Sequence, residues 1–125
     1  MIVGHSVFES NVRHVRLVGN APARIHDSVL LFASDVAVTA AEGALPRLEY
    51  DDFVGNLLAV RNRAGASGPA IPASNCFWGS EDGPSGAGRG KGDPVSDGVD
   101  FAPWCRQSCI RTARADERDA QRRVE

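Results

Sequence analysis

Short stretches in which apolar residues alternate with polar ones recur along most of the chain, with Gly, Asn and Asp residues between them. Four segments share one pattern: an apolar residue, two further residues, a small polar residue, one residue, then a large apolar residue. They begin at Val3, Ile25, Leu48 and Pro72, carry Ser6, Ser28, Asp51 and Asn75 at the polar position, and end on Phe8, Leu30, Phe53 and Phe77. Successive offsets are 22, 23 and 24 residues. A second alternation follows each of the first three segments: Val15 with Leu17, Val36 with Val38, and Leu58 with Val60. Period-two patterning in pieces this short predicts strands joined by turns. If each period is one coil of a solenoid, equivalent residues lie about 4.8 Å apart and stack. Phe8, Leu30, Phe53 and Phe77 then form an interior column, and the Ser, Asp and Asn residues form a polar ladder at a bend.

The stretch from Asn75 to Trp104 has a different texture. Asn75, Phe77, Trp78, Gly79, Gly83, Pro84, Val95, Ser96, Val99, Phe101, Pro103 and Trp104 follow in an order that resembles the closing segment of bacterial right-handed parallel β-helices of the pectin-lyase-like superfamily. The resemblance covers about residues 2–104 and implies an all-β fold: a right-handed parallel β-helix of three to four coils over 1–104, closed by 75–104. It also implies an exported or cell-surface protein. That architecture hosts lyases, hydrolases, adhesins and spacers, so function has to be argued from a site. After Trp104 the resemblance stops, and residues 105–125 form an Arg-rich tail that is flexible or loosely helical, with Ile110, Ala113, Glu117, Ala120 and Val124 along one side.

Composition narrows the classes. A chain of 125 residues suits one domain, and the apolar runs are far too short for a membrane helix. The formal charge is −2, with a negative body and a positive tail. The basic residues are nearly all arginine, which fits a GC-rich coding bias, and no basic stripe is visible in the body, so nucleic acid is not an expected partner. No secretory signal precedes the first repeat. Nothing covers the first coil's open edge, which implies either coils upstream of it or edge-to-edge self-association.

Candidate chemistry is sparse. Residues flanking the first apolar position of each repeat face outward, giving one row of Ile2, Arg24, Arg47 and Ile71 and another of Gly4, His26, Glu49 and Ala73. Arg24, His26, Arg47 and Glu49 therefore form a charged patch in the middle of one face. Relatives of the resembled family that act on acidic polysaccharides carry charged groups on an outer face, so these four are the expected substrate-binding residues and an acidic polysaccharide the expected partner. The competing reading is ordinary pairing of opposite charges on a solvated strand face. Asp51 and Asp52 point to opposite faces of a strand, which opposes joint acid–base work. No histidine follows Cys105 and Cys109 at zinc spacing, so they are free or oxidised thiols, while Cys76 is a small core or edge residue. The glycine-rich run from Gly83 to Gly92 lacks phosphate-loop spacing and is expected to be a flexible surface loop. No catalytic residue, metal or cofactor is expected. The function expected is a non-catalytic module with a structural or glycan-binding role; the alternative is a remnant of a polysaccharide lyase or glycosidase whose catalytic coils lie upstream.

Overall fold

The structure is a computed structural model and describes residues 1–20 and 22–111. It is all-β, with one short 3-10 turn at Gly65–Ser67 as the sole helical element among the described residues. Three successive triplets of strands carry the chain from residue 2 to residue 62: β1 (Ile2–Gly4), β2 (Val7–Glu9) and β3 (Arg13–Val18); β4 (Arg24–His26), β5 (Val29–Leu31) and β6 (Val36–Ala41); β7 (Arg47–Glu49), β8 (Asp52–Val54) and β9 (Leu58–Asn62). Each triplet adds one parallel strand to each of three sheets, which run β1-β4-β7, β2-β5-β8 and β3-β6-β9. The closing stretch contributes β10 (Ile71–Pro72), β11 (Pro84–Gly86), β12 (Gly92–Val95) and β13 (Val99–Asp100). β12 pairs with β9 and β11 with β12, so the third sheet has five strands, while β10 and β13 pair with each other.

The alternation pattern explains the register. Ile25 lies opposite Leu48, Leu30 lies between Phe8 and Phe53, and Val38 lies between Val15 and Val60, with Val95 next in that column. A one-residue slip would turn each of these side chains outward, so burial of one face fixes the pairing. Ile25, Leu30, Leu48, Phe53, Val38 and Val60 are fully or almost fully buried.

Bends between strands are held by left-handed residues in columns. His5, Asp27 and Tyr50, at the bend after the first strand of each triplet, and Asn75, at the matching bend after β10, have φ between 50° and 59°. Such a conformation costs a non-glycine residue about 1 kcal/mol or more, and hydrogen bonds along the stack hold it: Asp27 N–H donates to Glu49 O (3.3 Å) and Tyr50 N–H to Asn75 O (2.8 Å). The residue after each bend supplies the polar ladder. The Ser28 hydroxyl accepts from the Ser6 N–H (3.3 Å) and the Asp51 carboxylate accepts from the Ser28 N–H (2.9 Å).

The fourth repeat corrects the pattern read from sequence. Phe77 N–H donates to Asp51 O and Phe53 N–H to Phe77 O, which sets Cys76 above Asp51 and Trp78 above Phe53. Trp78, not Phe77, completes the aromatic column, its ring stacked on Phe53 at 4.9 Å and 13°. Asn75 stands at the left-handed bend and is exposed, while Cys76 takes the ladder position and is buried. Ile71 and Ala73 are buried too, so neither continues an outward row, whereas Pro72 is exposed.

The glycine-rich run is packed, not loose. A Cβ on Gly90 would lie 2.2 Å from Gly83 O, and one on Gly92 would lie 2.4 Å from Trp78 O. Backbone approaches backbone there, which only glycine permits. Gly92 N–H donates to Gly83 O (2.8 Å) and Asp93 N–H to Trp78 O (2.6 Å).

Residues 105–111 are non-helical and return along the bend column. Cys105 and Cys109 form a disulfide. Cys105 N–H donates to Cys76 O (2.9 Å), and Arg111 covers the Tyr50 ring at 4.1 Å while its backbone N–H donates to Asp27 (2.8 Å). The loosely helical tail expected from sequence falls, beyond Arg111, outside the described residues.

Candidate functional site

Arg24, His26, Arg47 and Glu49 come together as the alternation predicts. Arg24 is opposite Arg47 and His26 opposite Glu49 on β4 and β7, with Ile2 and Gly4 preceding them on β1. Two in-register arginines repel, and Glu49 answers both. Its Oε1 accepts from Arg24 Nε at 2.5 Å, and its Oε2 lies 3.7 Å from Arg47 Nε. Gly4 makes room for the neighbouring imidazole, since a Cβ there would lie 2.3 Å from His26 Nε2. The patch thus has two guanidiniums balanced in part by one carboxylate.

Asp27, at the adjoining bend, was not singled out in the sequence. It accepts from Arg111 Nε (3.2 Å) and Nη2 (3.0 Å) and is bonded to His26 Nδ1 (2.8 Å). Burial alone would raise this carboxyl, but the Arg111 and His26 contacts outweigh it and hold the group below its ordinary value. His5, His26 and Asp27 bring donor atoms within 4.8 Å of one another, a grouping of metal-ligating types. Both Asp27 oxygens are already engaged by Arg111, so the carboxylate acts here as an anchor for the returning segment.

Asp51 and Asp52 do point apart. Asp51 is enclosed in the interior, where desolvation pushes its carboxyl up to about 8. Asp52 faces the returning segment, and burial raises it as well, against a hydrogen bond from Ser108. Buried Asp93, a residue sequence reasoning passed over, accepts from Gly55 N–H (3.0 Å), Asn56 N–H (2.9 Å) and Asn56 Nδ2 (2.8 Å). It ties the closing segment to the bend after β8.

Concave surfaces also lie elsewhere on the described residues. A cleft of about 490 Å³ at the closing end is walled by Glu81, Asp82, Pro103, Trp104 and Arg106, with Trp104 Nε1 donating to Glu81 O (3.1 Å). A groove of about 280 Å³ on the outer face of the five-stranded sheet is lined by Arg13, Arg16, Thr39, Arg61 and Arg63. The body therefore does carry a basic patch. Its arginines come in two pairs 45 or more residues apart along the chain, Arg13 and Arg16 on β3 and Arg61 and Arg63 on and just after β9, so local sequence spacing gave no sign of it.

Comparison with family models, with curated proteins and with solved structures finds no match for this chain.

Proposed function

We propose that the chain is a non-catalytic module built as a right-handed parallel β-helix of the pectin-lyase-like kind, serving a structural or glycan-binding role in an exported or surface protein. The observation that carries this reading is the addition of one parallel strand to each of three sheets every 22 or 23 residues. Right-handed winding follows from the general preference of parallel crossovers. Such stacking yields a stiff body with flat, repetitive faces suited to an extended polymer. The Cys105–Cys109 disulfide supports export, because disulfides persist in oxidising compartments.

The glycan would lie along the outer face of β4 and β7, where Arg24, His26, Arg47 and Glu49 offer donors and acceptors in a row. Glu49 already offsets the arginines, so this row suits a hydroxyl-rich chain with few charges better than a densely acidic one. Screening the full chain on a glycan array tests the reading, with Arg24→Ala/Arg47→Ala alongside. Retained fold with binding weakened about tenfold is expected for two lost charge-assisted hydrogen bonds. Binding that the double variant leaves intact would remove the patch, and cleavage of any bound polysaccharide would overturn the non-catalytic role.

A further inference from the structure

We propose that the outer face of the five-stranded sheet holds a second site, specific for a small ligand bearing a phosphate or sulfate group. Arg16, Thr39 and Arg61 occupy consecutive rungs in register on β3, β6 and β9. The two arginine backbones are thus two strand spacings apart, about 10 Å, a gap that two long guanidinium side chains can close upon one group between them. Arg13 at the start of β3 and Arg63 just after β9 extend the cluster, and the Arg63 N–H donates to Ala40 O (2.9 Å), keeping that residue at the sheet. Thr39 forms the floor of the groove; it is only 7% exposed, and its hydroxyl has no hydrogen-bond partner among the described residues.

Charge balance separates this face from the first patch. Arg13 pairs with Asp35 at 2.9 Å. Among the described residues, Arg16, Arg61 and Arg63 have no carboxylate partner. Like charges gathered on one sheet face repel one another, so the fold assembles three guanidiniums around one groove with no carboxylate paired to them among the described residues. An anion supplies the counter-charge. The planar fork of arginine matches oxyanions bidentately. A tetrahedral phosphate or sulfate directs oxygens toward several forks at once, whereas a lone carboxylate offers two in one plane. The groove volume fits such a group with its parent moiety, not a thick polymer.

The test follows the arginine Nε–Hε NMR signals of the full chain at low salt during titration with pyrophosphate and, separately, with inorganic sulfate. The signals of Arg16, Arg61 and Arg63 should move while those of Arg24 and Arg47 stay. The anion that acts at the lower concentration identifies the phosphate or the sulfate source. Arg16→Gln/Arg61→Gln should weaken binding at least about tenfold. Arg16→Lys/Arg61→Lys keeps the charge and loses the fork, so it should weaken binding several-fold in a folded protein. Absence of any shift up to about 10 mM anion, which is weaker than ordinary ligand affinities, would overturn the proposal. So would equal affinity in the folded Gln variant, or digalacturonate moving the same signals at lower concentration than either tetrahedral anion.

Discussion

The three triplets between residues 2 and 62 and the closing stretch from 63 to 104 are held in register by different forces. In the triplets, apolar columns do the work: Ile25 with Leu48, Phe8 with Leu30 and Phe53, Val15 with Val38 and Val60. In the closing stretch the spacing widens, with Asp52 opposite Phe77, Val60 opposite Val95 and Ile71 opposite Val99. There the register depends on Trp78, on backbone contacts that only glycines allow, and on buried Asp93. A repeat can be specified by patterning, but its end needs particular residues that satisfy backbone groups no further rung will cover.

The sharpest way to break this contrast is to truncate the two neighbouring aromatics of the fourth repeat. Trp78→Ala should cost about 3–5 kcal/mol by urea unfolding, while Phe77→Ala, on the outer side, should cost less than about 1.5 kcal/mol. Equal losses would mean that the aromatic column does not pass through Trp78. Next in size, Asp93→Ala strands the donors of Gly55 and Asn56 and should cost about 2–3 kcal/mol.

Asp51 sharpens the comparison from the regular side, where the polar ladder of Ser6, Ser28 and Asp51 places a carboxyl in the interior. Its carboxyl titrates near 8 in the folded chain against 3.8 ordinarily, because burial penalises the charged form. Between these pH values the native state holds a proton that the unfolded state has released. Its contribution to stability is therefore full below pH 3.8, declines as pH rises, and is gone above about 8. Burial moves Asp52 and Asp93 in the same direction, whereas Asp27, held low, favours the folded state above its unfolded pKa and loses that contribution under acid. Asp51→Asn keeps an acceptor for the Ser28 N–H and should stabilise the chain by about 1–3 kcal/mol at pH 9, with no gain at pH 3. A pH-stability curve unchanged by this substitution would show that Asp51 is solvated.

Smaller effects belong to the surface. Arg111→Ala removes the ion pair to Asp27 and the cover over Tyr50, and should cost about 1 kcal/mol. Amide exchange at Asp27 and Tyr50 should rise in that variant.

The contrast also explains what the sequence made legible. Strand positions in the first three repeats and the meeting of Arg24, His26, Arg47 and Glu49 follow from a strict period of two, which carries across rungs as long as the offset is known. At the fourth repeat the offset is 25 residues from Tyr50 to Asn75 and from Phe53 to Trp78, one more than the sequence pattern suggests, and Phe77 beside Trp78 left two aromatics competing for one interior place. Only the backbone pairing of Asp51 and Phe53 with Phe77 decides between them. The glycines from 83 to 92 looked like slack because close backbone packing and flexibility call for the same residue type. The Arg16 and Arg61 groove stayed hidden because it depends on two strands that are distant in sequence and bracket a third.

The measurement that bears most directly on the parallel three-sheet arrangement is a set of inter-strand NOEs from the isotopically labelled chain. Parallel contacts linking Val15, Val38, Val60 and Val95 in sequence, with the Phe53 ring close to the Trp78 ring, are the predicted result. Antiparallel contacts between neighbouring strands, or a Phe53 ring in contact with Phe77 while Trp78 faces solvent, would contradict it.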